Sequence, residues 1–150
     1  MSGSLTEVTS LQRSSSPYQA IGLIVTHWRD GTDSLGTCTL VGMNDILTAG
    51  HMTYSPANGG WASSYDFYFG ADYNLITGQF EDHGYHATYS SWQALNWSTG
   101  LYQDSNNDTN TFVETQYDLA IIGVDTAIGN HINWLNLSKG YNINNLQAIG

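Results

Sequence analysis

The sequence predicts an all-β domain, a small antiparallel barrel built from short strands. Three observations point there. Gly, Ser, Thr, Asn and Tyr dominate, Pro occurs only twice, and 41% of residues are apolar while 11% are charged, the profile of a loop-rich β protein. Apolar runs are short, several alternate with a period of two, and turn residues separate them. No repeat of fixed period, heptad or Pro-rich segment interrupts this pattern, which many short strands satisfy best by closing on themselves. At 150 residues the chain has the length of one domain and can bury a real core.

In chain order, the polar segment 1–16 reads as a flexible tail or propeptide remnant. Met1-Ser2-Gly3-Ser4 has neither a basic n-region nor an apolar h-region, so it reads as an engineered or processed start. Arg13 followed by three serines would offer an accessible cleavage point. Gln19–Trp28 is the first clear strand, with Ile21, Leu23 and Val25 sharing a face. Arg29-Asp30-Gly31-Thr32-Asp33 supplies hairpin-turn chemistry, because Gly tolerates positive φ. Leu40 and Val41 close the next strand, Gly42-Met43-Asn44-Asp45 turns, and Ile46-Leu47-Thr48 form its partner. Residues 52–64 read as a loop. Tyr65, Phe67 and Phe69 alternate with Asp66 and Tyr68 in a half-buried strand. Leu75–Phe80 and Tyr85–Tyr89 are weaker strands, and Ser91–Leu101 fits either a strand or a helical turn. Gln103–Thr111 is a polar loop, Phe112–Val124 the last strong strand. The predicted organisation is a barrel over 17–125, a connector over 126–140 that contains Trp134, and the opening of a further apolar strand over 141–150.

Charge removes several function classes. Thirteen acidic residues against three basic ones give a formal charge of −10. Nucleic acid is excluded as a partner, since phosphate neutralisation needs clustered Lys and Arg, and an anionic membrane surface is disfavoured. No apolar run approaches the roughly 20 residues that a membrane-spanning helix requires. A low-Lys, acidic composition rich in Tyr, Asn and Thr matches secreted (extracellular or periplasmic) bacterial proteins. Cys38 is the only cysteine, so no intrachain disulfide forms. Amid apolar and small residues it reads as a buried thiol; a nucleophile would need a base and an electropositive setting.

His51 is the first residue that suggests chemistry. It follows an apolar strand across the small-residue corner Ala49-Gly50, which leaves its backbone fixed by the core and its ring turned outward, as a scaffold holds a general base. The whole stretch Gly36-Thr37-Cys38-Thr39-Leu40-Val41-Gly42-Met43-Asn44-Asp45-Ile46-Leu47-Thr48-Ala49-Gly50-His51 resembles the histidine motif of chymotrypsin-fold serine endopeptidases, most of all their bacterial, glutamyl-endopeptidase-like branch. Tyr117-Asp118-Leu119-Ala120-Ile121-Ile122 is similar to that family's Asp-Leu-Ala strand, and Pro17-Tyr18-Gln19-Ala20-Ile21-Gly22 resembles its first barrel strand.

The resemblance implies an antiparallel six-stranded Greek-key barrel of the chymotrypsin type, the first of two. The stretch between His51 and Asp118 exceeds the usual spacing, so an expanded loop is expected somewhere in 52–116. By resemblance His51 is the general base and Asp118 its orienting carboxylate. A serine would attack the carbonyl while the histidine takes and returns its proton. The order His then Asp is that of the chymotrypsin fold. Asp118 also has a physical need of its own. It precedes the apolar run Leu119-Ala120-Ile121-Ile122, and a carboxylate at the mouth of a core strand is costly unless it accepts hydrogen bonds. Many relatives carry a cysteine directly after the histidine, where this chain has Met52.

Nothing resembles the family's Gly-Asp-Ser-Gly-Gly signature. Ser34 precedes the histidine and Ser138 lies in the connector. By resemblance the serine, the oxyanion hole and the specificity pocket belong to the second barrel, of which 141–150 would be the truncated start. The implied partners are a peptide or protein substrate and that C-terminal barrel; no cofactor and no metal are implied. Alone, the chain is expected to be inactive, with no donors for a developing oxyanion. Its uncovered face and unpaired edge would favour a homodimer or strand exchange.

Other constellations are weaker. Asp104, Asn106, Asp108 and Asn110 alternate as in calcium loops, but Thr109 and Thr115 stand where such a loop needs Gly and Glu, so a solvated turn is expected. His83 and His86 would point to opposite faces of a strand. His27 and His131 have no evident partner. Five Trp and ten Tyr admit a carbohydrate-binding domain as an alternative, and a pseudoprotease kept as an interaction domain is another.

Overall fold

The structure, a computed structural model of the chain, describes residues 6, 8–74, 76–81, 84–89, 92–97 and 118–137. Its strands are β1 (Ile21–His27), β2 (Asp33–Leu40), β3 (Asp45–Thr48), β4 (Tyr54–Ser55), β5 (Gly60–Trp61), β6 (Ser64–Phe69), β7 (Asp72–Asn74), β8 (Gln79–Glu81), β9 (His86–Tyr89), β10 (Trp92–Trp97) and β11 (Ala120–Val124). Seven of them make one sheet in the order β10-β11-β3-β2-β1-β6-β9, with every pairing antiparallel. β1, β2 and β3 follow one another as hairpins, whereas β6 returns to the far side of β1, the Greek-key connection.

The two ends of that order, β9 and β10, are separated in the chain only by positions 90 and 91. Three Cα steps reach at most about 11 Å, so the two end strands approach each other there and the sheet is curled as in a barrel. With β9 and β10 counted together, the barrel has the six strands that the resemblance implies. Trp92–Trp97 is thereby strand rather than helical turn.

Turn chemistry sets the registers. At the β1–β2 turn Gly31 has φ +84°, and Asp30 Oδ1 accepts from the Thr32 amide at 2.9 Å and its hydroxyl at 2.6 Å. At the β2–β3 turn the Asn44 side-chain amide donates to the Val124 carbonyl at 2.8 Å, tying the corner to the end of β11. β3 then pairs β2 through Cys38↔Thr48 and β11 through Thr48↔Ala120, which delivers both sequence motifs to the same end of adjacent strands.

The core is aromatic on one side and aliphatic on the other. Tyr65, Phe67 and Phe69 of β6 are fully buried and face Ile24, Leu40, Ile46 and Ile122. Phe67 lies between its neighbours, 5.6 Å from Tyr65 and 6.2 Å from Phe69 between ring centroids. In β1 the expected face-sharing of Ile21, Leu23 and Val25 is real, but the barrel interior receives the other set, Gly22, Ile24 and Thr26. Gly22 explains the choice, since a Cβ there would stand 2.4 Å from the Tyr68 carbonyl oxygen; β1 and β6 approach too closely for a side chain. Ile21 and Leu23 instead line an outer cavity of about 240 Å³ that Tyr18, Arg13 and Asp72 help to close.

The segment read as a tail includes a helical turn, Ser10–Arg13, with a reciprocal Thr9–Gln12 capping box. Arg13 donates to the Val8 carbonyl at 2.8 Å and pairs with Asp72 at 3.4 Å. Of the single strand expected over Leu75–Phe80, residues 76–78 are instead the turn of a small ribbon, and Gln79 and Phe80 lie in its second strand, β8, paired with β7. Asn74 Oδ1 accepts the Ile76 and Thr77 amides, and an Asx turn of this kind ends a strand. The loop 52–64 likewise contains a ribbon, β4 with β5. After β11, Ile128 and Ile132 are buried and the Leu135 amide bonds to the Leu40 carbonyl at 3.0 Å, so 126–135 folds back on the barrel. The polar loop 103–111 with its calcium-like pattern, the start of the strand expected from Phe112, His83 and the strand 141–150 lie outside the described residues.

Candidate active site

The corner Ala49-Gly50 is followed by a 3₁₀ turn, Gly50–Met52. Both neighbours of His51 in this turn are buried. Met52 packs over Gly36, where a Cβ would meet its sulfur at 2.9 Å, so the Gly of the motif makes room for the residue after the histidine. The Met52 carbonyl accepts the buried Thr26 hydroxyl at 2.8 Å, and the Thr53 hydroxyl closes back on the Gly50 carbonyl at 2.7 Å. The histidine backbone is therefore held by β1, β2 and its own turn, while half of the side chain remains exposed.

Asp118 sits two residues before β11, whose pairing with β3 brings it to that turn. Its carboxylate makes two bonds to the same residue: Oδ1 accepts the His51 backbone N–H at 2.7 Å, and Oδ2 lies 2.6 Å from Nδ1. An ionised carboxylate only accepts, so Nδ1 carries the proton and donates it. The tautomer that follows leaves a lone pair on Nε2, which meets no partner among the described residues. Only 13% of the Asp118 side chain is exposed, and its two bonds meet the hydrogen-bonding need that the sequence placed there. The arrangement can accept a proton at Nε2 and stabilise the imidazolium that results.

Sequence reasoning left His27 without a partner, and the structure gives it two. Nδ1 lies 2.7 Å from Asp33 Oδ1 on β2, and Nε2 lies 2.6 Å from Asp66 Oδ2 on β6. Two acceptors require a proton on each ring nitrogen, so this ring is held as the cation. The hydrogen bond to Asp66 is the main cause that raises its pKa above 6.5, against the opposing effect of burial. Burial would raise the Asp66 carboxyl, but bonds from Thr88, His27 and His86 outweigh it and hold the group below its ordinary value. The contrast separates the two histidines by chemistry: His51 keeps a basic nitrogen open, while His27 has none to offer.

The remaining residues take structural roles. Cys38 is buried, and burial pushes its thiol far up, as a core thiol should be. Ser34 accepts the Trp28 indole N–H at 2.8 Å. His131 stacks on Tyr85 with centroids 4.7 Å apart. Trp28, Tyr65 and Tyr89 are buried, which takes three rings from any sugar-binding face. Among the described residues no group of three or more His, Cys, Asp or Glu is arranged to hold a metal ion, and no helix is long and apolar enough to cross a membrane.

No protein-family model and no curated protein matches the chain. Solved structures do. A Glu endopeptidase solved with MPD is 25% identical and superposes with a TM-score of 0.53, over 87% of this chain and 50% of its own. The protease Anisep from Arthrobacter nicotinovorans is 16% identical, with a TM-score of 0.49 over 85% of this chain and 52% of its own. The thermostable serine protease AL20 is 19% identical, with a TM-score of 0.43 over 75% and 47%. The chain thus spans about half the length of each of these three structures. The class that fold and likeness define is the chymotrypsin-type serine protease fold, in the form of one antiparallel β-barrel. Within that class, the structure most similar in sequence among these three is a Glu endopeptidase.

Proposed function

We propose that this chain is the N-terminal barrel of a secreted serine endopeptidase and supplies its general base and orienting carboxylate. The supporting observation is the two-bond embrace of His51 by Asp118, at 2.7 Å to the backbone N–H and 2.6 Å to Nδ1, with no partner for Nε2 among the described residues. In this reading a second barrel brings a serine hydroxyl to Nε2 and donors for the carbonyl oxygen. His51 removes the hydroxyl proton as the oxygen attacks a peptide carbonyl, and returns it to the leaving amine. Asp118 holds the ring in the required tautomer and balances its charge without taking the proton. The order of appearance, His before Asp, fits this role, and no cofactor takes part.

Alone, the barrel has a base with nothing to activate and should not hydrolyse peptides. Its partners are the second barrel and a peptide or protein substrate, with self-association through the uncovered face when that barrel is absent. The test is reconstitution. The chain is joined to the serine-bearing C-terminal barrel of a Glu endopeptidase, and hydrolysis of a peptide ester is followed beside the His51→Ala variant. Activity that appears on joining and disappears with His51→Ala supports the proposal. A well-folded joined protein with no His51-dependent hydrolysis would instead favour an interaction domain that has kept the barrel.

A further inference from the structure

Independently of the protease reading, the geometry points to a second device on the barrel: we propose that Asp33, His27, Asp66 and His86 form a proton-loaded clasp that locks β2, β1, β6 and β9 side by side in mildly acidic solution and loosens when His27 loses its proton.

The four strands are consecutive neighbours in the sheet, and the clasp crosses them at right angles to the chain. His27 stands directly opposite Asp33 and diagonally from Asp66, which lies two positions along β6 from Ser64, the cross-strand partner of His27. Diagonal neighbours on one face are within reach of a long or ring-bearing side chain. Asp66 continues the line to β9, where its Oδ1 accepts the Thr88 hydroxyl and lies 3.5 Å from His86 Nε2. The His86 ring is itself held flat on Tyr68, centroids 4.0 Å apart and planes at 8°. The titratable groups facing His27 are thus Asp33 from β2 and Asp66 from β6. Asp66 in turn faces His27 and His86, with Thr88 the neutral donor from β9.

Direction follows from the proton count. A neutral imidazole has one N–H and can serve only one of the two carboxylates; on deprotonation one ring nitrogen and one carboxylate oxygen oppose each other as lone pairs 2.6 to 2.7 Å apart. Because His27 binds its proton more tightly folded than unfolded, its contribution is complete below the unfolded value of about 6.5. It is lost as pH rises through the raised folded value. Asp66 has the opposite sign: its contribution is complete above the ordinary carboxyl value and is lost as pH falls through the depressed one. The clasp is therefore tight between these limits and opens on the alkaline side as His27 loses its proton. The Asp33 arm is mostly exposed and the Asp66 side chain 17% exposed, so Asp66 contributes more to the clasp.

What the clasp adjoins gives it consequence. His27 ends β1, and its carbonyl accepts both the Ser63 amide at 2.9 Å and the Ser63 hydroxyl at 3.0 Å. The preceding residue, Thr26, holds the Met52 carbonyl beside His51. Loosening the end of β1 would thus reach the turn that carries the candidate base.

The test uses the full chain. Histidine ring ¹⁵N shifts, followed from pH 5 to pH 9, are expected to show His27 doubly protonated at pH 6 and titrating above a free histidine. The urea midpoint of the wild type should fall across its titration, and His27→Gln should abolish that fall. Amides of β1 and β6 should exchange faster with solvent above the titration than below it, beyond the intrinsic effect of pH. A neutral His27 ring at pH 6 overturns the proposal, as does a His27→Gln variant that keeps the alkaline fall. The shift measurement needs no variant, so a poorly folding substitution leaves the proposal decidable.

Discussion

Replacing Asp118 by Asn exchanges two acceptor oxygens for one acceptor and one donor without changing side-chain size. If the amide oxygen keeps the His51 backbone N–H, now bound at 2.7 Å, the NH₂ group faces Nδ1 across 2.6 Å. Two donors cannot share that space, so the ring must present a lone pair at Nδ1 and move its proton to Nε2. The flipped amide fails differently, leaving the backbone N–H against a donor. A hydrogen bond to a charged group contributes about 1.5–3 kcal/mol and a neutral one about 0.5–1.5. The substitution weakens one and inverts the other, at a site too buried for water to replace the acceptor fully. A loss of about 1.5–3 kcal/mol follows, which at roughly 2–4 °C per kcal/mol lowers the melting temperature by about 3–12 °C. Calorimetry measures that loss, and two-bond ¹H–¹⁵N correlation identifies the tautomer, expected to change from Nδ1–H to Nε2–H. In the reconstituted enzyme the wrong tautomer should reduce kcat by about 10⁴, the magnitude of the same exchange in the serine-protease template. A wild-type ring already protonated at Nε2, or a variant with the same tautomer and melting temperature, would refute the reasoning.

Two further outcomes test the support around the site. Thr26→Val keeps the shape but removes the buried donor to the Met52 carbonyl; an unsatisfied buried acceptor costs about 1–3 kcal/mol, read as a lower melting temperature and faster amide exchange over residues 51–53, while unchanged exchange would show that the turn is held otherwise. The buried Cys38 thiol, its ionisation strongly suppressed, should resist an aromatic disulfide reagent in the native chain and react at once in denaturant; rapid native labelling would mean that β2 is not where it is described.

The two histidine sites show what can be read from a sequence and what cannot. The outward placement of His51 was legible from local constraints, and its role from the resemblance of residues 36–51 to a family motif. Ile46-Leu47-Thr48 reads as strand, Ala49-Gly50 as corner, and the residue after a corner turns outward whatever the rest of the chain does. Asp118 was likewise assigned through the resemblance of residues 117–122, to which the sequence adds a physical need, a charge at the start of an apolar run that must find a donor. His27 carries no such local signal. Its partners come from β2 and β6, and only the cross-strand register selects Asp33 and Asp66 from among 13 acidic residues. The β1 face was hidden for the same cause: Ile21, Leu23 and Val25 look like the core set, but the close approach of Tyr68 to Gly22 is a property of the β1–β6 pair. Residues 76–78, read as strand, misled in the reverse sense, since there one Asn side chain caps a turn.

The same residue pair, histidine and aspartate, therefore yields opposite chemistry according to how many carboxylates reach the ring. One carboxylate fixes a tautomer and leaves a base; two remove the base and leave a cation. A scaffold that needs a proton acceptor at one corner must keep a second acidic group away from it, and among the described residues no second carboxylate bonds to the His51 ring. Asp118 spends its other oxygen on the His51 backbone N–H, while Nε2 meets no partner among the described residues. At His27 neighbouring strands supply both carboxylates, and the ring can only hold strands together. In an acidic chain with three Lys and Arg, a histidine that can be recruited as a cation on the barrel surface, and one protected from that fate at the candidate site, are two consequences of a single constraint.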